Sequence, residues 1–251
     1  MLGKKACHYS FIRVYKFYRC VGFELGLEWK DICLKNEKNK ILKMMKNQGI
    51  SRKEALEILK VEDRAEILKI FVRATEAREK FFGSKIEMCS IINAKSGNCS
   101  EDCAFCAQSA KSKAKISKYS LVSEEKILKA AEDSAKDGSI RFSIVTSGRT
   151  SSGPHIDKIC SAVAKIAKIN GMKVCASLGC LDERKFLKLK NAGLDRYHHN
   201  LETSESYFPK ICSTKKYSEK IETVKAAKKI GLTVCSGGIF GMGESLEQRI
   251  E

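Results

Sequence analysis

Four times in this chain a lysine- and alanine-rich helical stretch ends at a glycine and runs into a short apolar segment. The junctions read KDGSIRFSIVT at Gly138, INGMKVCASLG at Gly171, NAGLDRYHHNL at Gly193 and KIGLTVCSGGI at Gly231. A glycine just past a helix end supplies the left-handed residue that closes the last turn. A helix delivered before each strand is the pattern of parallel β-structure, because parallel neighbours need a crossover. With the apolar stretch EMCSIINAK, strands are expected near 86–92, 140–146, 173–178, 195–201 and 233–239. A closed (β/α)8 barrel needs about eight strands. The chain stops at SLEQRIE, where a further helix opens. The expectation is an α/β fold: a partial TIM-type barrel of about five βα units, preceded by N-terminal helices, with the later strands absent. In such folds the active site lies at the carboxyl ends of the strands.

The first 38 residues read differently from the rest, being basic, aromatic and aperiodic. They are expected to form an extension distinct from a barrel domain over 39–251. Cys7, Cys20 and Cys33 match no ligand spacing and read as packed free thiols. Ser51 with Glu54 makes a capping box ahead of ALEIL. Over 63–80, Ile67, Phe71 and Ala74 recur at helical spacing.

Twelve cysteines are spread through ordinary helix and strand patterns, and Arg13, Lys16 and Arg19 interrupt any apolar leader region. A reducing, cytoplasmic setting follows, with the thiols free or on metal. No apolar run reaches the ~18 residues of a membrane span. The formal charge of +17 comes from lysines scattered over many helix faces, so it reads as a general basic surface. No aromatic and arginine platform interleaves with those lysines, which argues against nucleic acid.

The stretch NCSEDCAFCAQS carries Cys99, Cys103 and Cys106 in a C-x3-C-x2-C order. A structural zinc site wants four ligands, and a disulfide framework wants an even number of cysteines. Three soft thiolates suit three corners of a 4Fe–4S cluster, leaving one iron open to a small molecule. A zinc site completed by a distant fourth ligand is the competing reading.

C-x3-C-x-Φ-C, with Phe105 as the aromatic, resembles the signature of radical S-adenosylmethionine enzymes. SIINAKSGNCSEDCAFCAQSA, AGLDRYHHNLETS and VCSGGIFGMGE together resemble the biotin synthase family, in order and spacing, from about residue 40 onward. The resemblance implies that Cys99, Cys103 and Cys106 hold a 4Fe–4S cluster whose open iron takes S-adenosyl-L-methionine. A 5′-deoxyadenosyl radical would then draw hydrogen from dethiobiotin, the substrate, and sulfur would close the ring of biotin. It further implies Phe105 against the adenine, Glu202 on the ribose hydroxyls, Asn200 on the substrate, and Gly241 and Glu244 in a cofactor-facing turn. Cys175 and Cys235, each four residues past its junction glycine, match ligands of an auxiliary iron–sulfur cluster, 2Fe–2S in the well-known form. His198 and His199 carry no assigned role.

Two features depart from that pattern. By simple counting, Asn200 and Glu202 stand at odd offsets from Gly193 and so face away from the two cysteines, unless the loop is longer by one residue. Ser143 stands where the family has its first auxiliary cysteine, and the arginine ligand of the family would lie beyond Glu251. Either a variant auxiliary cluster is built, with Cys180 or Cys89 taking part, or that site is degenerate. The resemblance also implies a homodimer and a flavodoxin- or ferredoxin-like electron donor, an acidic partner for a basic surface. The alternatives are a radical enzyme acting on a different small molecule, and a non-catalytic iron–sulfur or zinc module.

Overall fold

The computed structural model describes residues 50–84, 86–151 and 153–251. The expectations for residues 1–38, including Cys7, Cys20 and Cys33, lie outside the described residues. The chain divides into two compact units, Met1–Ala55 and Leu56–Glu251. Helix α1 (Arg52–Leu59) starts at the expected capping box: Ser51 Oγ accepts from Glu54 N at 3.2 Å, and Glu54 Oε2 accepts from Ser51 N at 2.8 Å. Helix α2 (Arg64–Phe82) is capped by Asp63 and buries none of its residues, so its apolar face, Phe71 included, stays on the surface.

The second unit then alternates strand and helix. In order come β1 (Cys89–Lys95), α3 (Glu124–Lys136), β2 (Arg141–Thr146), α4 (Pro154–Ile166), β3 (Lys173–Ser177), α5 (Glu183–Asn191) and β4 (Arg196–His198). A short α6 (Phe208–Ile211), α7 (Tyr217–Lys229), β5 (Thr233–Cys235) and α8 (Leu246–Ile250) follow. All neighbours pair in parallel, in the order β1-β2-β3-β4-β5. Five successive parallel strands with crossover helices make the expected partial barrel. The junction glycines Gly138, Gly171, Gly193 and Gly231 all have positive φ, from 76° to 104°, as a left-handed helix stop requires.

Each sheet face has a distinct composition. Phe142, Ile144, Val174, Ala176 and Tyr197 point to one side and are at most 1% exposed. There they meet Ile127 and Ala131 of α3, Ile159 and Val163 of α4, and Phe186 and Leu189 of α5. This is the hydrophobic core. The Tyr197 phenol, wholly buried, donates to Gly179 O at 2.5 Å and accepts from Leu178 N at 3.1 Å. A buried hydroxyl is thereby satisfied, and the turn after β3 is pinned.

The strand ends differ from the expected ones. β1 begins and ends three residues later, because pairing with β2 starts at Cys89↔Arg141 and, past a register shift at the fully buried Ala94, ends at Lys95↔Thr146. β4 and β5 are shorter, although backbone pairing continues past them: His199 N donates to Cys235 O, and Leu201 N to Gly237 O, each at 3.0 Å. Glu202, just past β4, is left-handed, with φ 75°.

Candidate active site at the carboxyl ends of the strands

The cysteine loop leaves the carboxyl end of β1. It closes on itself: Cys99 N donates to Gln108 O at 3.0 Å, Ala110 N to Cys99 O at 2.8 Å, and Cys106 N to Cys103 O at 3.0 Å. The Gln108 side chain accepts from Ser96 Oγ and Gly97 N, tying the loop's exit to its start. Cys99 is buried, Cys103 and Cys106 are half-buried, and all described cysteines are free thiols. Phe105 stands among them on the same loop, 36% exposed. The Cys103 thiol turns to Cys212, with 3.6 Å between sulfurs; burial, then that neighbour, pushes its pKa up to about 12. Among the described residues no three His, Cys, Asp or Glu side chains converge on a metal position.

Asn200 and Glu202 lie just past β4. Glu202 is held by backbone on both sides: its N–H donates to Gly237 O at 3.2 Å, and its C=O accepts from Ile239 N at 2.7 Å. A Cβ on Gly238 would come within 2.9 Å of Glu202 O, so only glycine permits this approach. The Glu202 carboxylate is buried, which pushes its pKa up, and its Oε2 has no hydrogen-bond partner. Lys220 of α7 offsets part of that penalty from 4.0 Å, while its Nζ donates to Asn200 O at 2.9 Å. His199 is buried beside them, pushed down to about 3 by desolvation and by the Lys220 charge. In the glycine turn after β5, Glu244 accepts from Gly241 N at 2.6 Å, Met242 N at 2.7 Å and Arg249 Nε at 2.7 Å. These bonds hold its carboxyl down to about 2.

The parity question is settled by register. Ser143 pairs with Cys175, Cys175 with Arg196, Arg196 with Thr233, and His198 with Cys235. Ser143, Cys175, Arg196, His198, Thr233 and Cys235 therefore share the sheet face opposite the core. Arg196 stands three residues past its glycine and Thr233 two past its own. The loop before β4 has the one extra residue, and odd offsets on β4 face the same way as even ones on β3 and β5. Cys235 sits one pair of residues further along than Cys175. Cys175 is buried, which raises its pKa, while a hydrogen bond from Ser143 lowers it.

The other two thiols are placed apart. Cys89 is at the amino end of β1, exposed, opposite Arg141 in register. Cys180 lines a groove of about 660 Å³ between α5 and α7, with Arg149, Asp182 and Glu219.

Three residues near the site escaped sequence reasoning. Lys220 looks like one more solvated lysine, yet it is 5% exposed and shares a buried stripe with Thr223 and Ala227. That i, i+3, i+7 spacing is a legible signal of an inward lysine. Cys212 meets Cys103 only through tertiary folding. Arg149 joins the cysteine loop to α7 in the same way.

The donor set fits the groups this arrangement implies. Three sulfur donors on one loop suit an iron–sulfur cluster. An unpartnered buried carboxylate oxygen suits a ligand hydroxyl, since an ionised carboxylate can only accept.

Comparison with known proteins agrees. The profile of the Radical SAM superfamily matches residues 94–251. The chain is 47% identical over 203 residues to a biotin synthase of Citrifermentans bemidjiense, covering 81% of this chain and 62% of that protein. It is 45% identical over 210 residues to a biotin synthase of Geotalea uraniireducens, covering 83% and 64%. It thus spans a little over three fifths of the length of these curated relatives. Among solved structures, methylornithine synthase (PylB) superposes with a TM-score of 0.73 at 19% identity, covering 83% of this chain and 61% of that one. The hydrogenase maturase HydG gives 0.69 at 20%, covering 94% and 52%. These two share the fold. With a profile match across more than half its length, laid over the cysteine loop and every strand from Ala94 onward, this chain belongs to the radical SAM superfamily.

Proposed function

We propose that the chain carries the radical-generating and substrate-facing part of a biotin synthase-type enzyme, which inserts sulfur into dethiobiotin. The observation that best supports this is the buried Glu202 carboxylate, with one oxygen unpartnered, beside Asn200 and the glycine turn. A ribose hydroxyl would complete it.

Cys99, Cys103 and Cys106 would hold a 4Fe–4S cluster. When bound with S-adenosyl-L-methionine, such a cluster supplies a 5′-deoxyadenosyl radical able to take hydrogen from an unactivated carbon. The chain's own residues bind, orient and exclude water. Glu202 would accept hydrogen bonds from the ribose hydroxyls, Phe105 would cover the adenine, and Asn200 would fix the substrate. Glu244 keeps the backbone of Gly241 and Met242 in shape for the cofactor. Lys220 steadies Glu202 and Asn200 from behind. Cys175 and Cys235 offer two thiols for an auxiliary iron–sulfur cluster, the sulfur source. Ser143 beside Cys175 is a hard, weak donor, so that cluster is of a variant type. The working protein is a cytoplasmic homodimer reduced by an acidic flavodoxin- or ferredoxin-like donor.

Anaerobic reconstitution with iron and sulfide tests the reading. The expected result is a reduced-cluster paramagnetic signal that changes on adding S-adenosyl-L-methionine, and more than about four irons per chain. With dethiobiotin and a reductant, 5′-deoxyadenosine and biotin should both appear. Tightly bound zinc without iron overturns the proposal. Deoxyadenosine without biotin assigns the site to a different small molecule, and about four irons with no second signal removes the auxiliary cluster.

A further inference from the structure

Two carboxylates, Glu101 and Asp102, lie between the first two cysteines of the loop. Asp102 reaches Ser213 and Thr214, in the segment that joins α6 to α7, and Glu101 reaches Thr214. The Asp102 carboxylate accepts from Ser213 N at 2.9 Å, Thr214 N at 3.2 Å and Thr214 Oγ1 at 2.9 Å, and from the Ser213 hydroxyl. Those bonds hold its carboxyl well below the usual range. Asp102 N donates to Thr214 Oγ1 at 3.1 Å, and Ala104 N donates to Ile211 O at 2.9 Å. Residues 102–104 and 211–214 thus run alongside each other.

Glu101 is 4% exposed and doubly satisfied. Its Oε1 accepts from Arg149 Nη1 at 3.1 Å, and its Oε2 from Thr214 Oγ1 at 2.8 Å. Arg149, in the loop after β2, also donates to Thr214 O at 2.9 Å and pairs with Glu219 in the first turn of α7. One threonine and one arginine therefore fasten three segments distant in sequence. A hydroxyl has a single proton, so Thr214 serves Glu101 or Asp102 at any instant while accepting from Asp102 N. A buried carboxylate deprived of its partners is strongly unfavourable, so the loop cannot keep its path once this clasp is cut.

We propose that Arg149 and Thr214 are positioning residues: they fix the backbone path that carries Cys99, Cys103 and Cys106 before any metal arrives. The inference rests on reading those cysteines as cluster ligands. A backbone path fixed in advance leaves only the cysteine side chains to be ordered, which lowers the cost of binding.

The test uses the whole chain, metal-free and then supplied with iron and sulfide, as wild type, Thr214→Val, Thr214→Ser, Arg149→Met and Arg149→Lys. In the metal-free protein, amide hydrogen exchange at Cys99, Cys106 and Ala110 should speed up at least about tenfold in Thr214→Val and Arg149→Met. Amides of β2 and β3 should be unchanged. Thr214→Ser, which keeps the hydroxyl, should match wild type. Arg149→Lys, which loses the planar fork, should fall between the extremes and reports on the clasp if Arg149→Met does not fold. Iron uptake should fall in the same order. Equal loop exchange in wild type and Thr214→Val, or a Thr214→Ser variant as impaired as Thr214→Val, overturns the proposal. If wild type takes up no iron yet Thr214→Val still loosens the loop, the clasp stands and the cluster reading falls.

Discussion

At the scale of single residues, Glu202 combines three unusual features. Its backbone is left-handed, its carboxylate is buried, and one oxygen lacks a partner. Such a residue is retained where surrounding structure over-determines it, and here Gly237, Ile239 and Lys220 do so. Glu202→Gln should weaken S-adenosyl-L-methionine binding to the reconstituted protein by about tenfold to a hundredfold, since an ionised acceptor forms the stronger hydrogen bonds. Isothermal titration would measure it. Burial raises the Glu202 pKa and Lys220 opposes that rise. Lys220→Met removes the opposing charge, so the carboxylate should protonate at higher pH. Cofactor binding should then fade with acid from a higher midpoint than in wild type, as read from affinity between neutral and acidic pH. Asn200 and Glu202 stand out in the sequence because they sit in a motif. Lys220 does not, because nothing in a lysine-rich helix distinguishes an inward ammonium except the small residues that share its stripe.

Among the elements, turns carry more of the specification than strands do. A Cβ on Gly179, with φ at +81°, would come within 2.2 Å of Arg149 O, the carbonyl that accepts from Cys180 N. Gly179→Ala should therefore cost about 2–3 kcal/mol, measured by urea unfolding, and should displace Arg149 with it. The turn at Glu244 predicts a pH effect. Its folded pKa, about 2, lies below that of a free carboxylate, so its contribution is present above the ordinary carboxylate range and is lost as pH falls towards 2. Melting temperatures of wild type and Glu244→Gln should differ at neutral pH and converge in acid. The helix–glycine–strand order was readable because glycine at a helix stop leaves a sharp mark. Strand ends were not. The start of β1 follows from its pairing with β2, and the left-handed backbone of Glu202 after β4 is a departure that no propensity announces.

For the molecule as a whole, the consequential fact is that only one face of the sheet is covered by helices in the described residues. The other face carries Ile91, 69% exposed, and the exposed Cys235, and β1 and β5 are the edge strands among the described residues. Open edges and bare apolar surface recruit further chains. Sedimentation velocity should show association of this chain growing over about 1–100 µM, and an unchanging monomer would contradict it. The site's functional face was legible from the motif, whereas its geometry waited on register. That register has a consequence for engineering. The loop before β4 carries one additional position between Gly193 and Arg196, which lets Tyr197 enter the core. Deleting a single codon there would exchange the roles of the two faces, turning Tyr197 out of the core and the Asn200–Glu202 pair out of the site. A scan of point substitutions would never reveal this dependence, whereas a scan of deletions would find it at once.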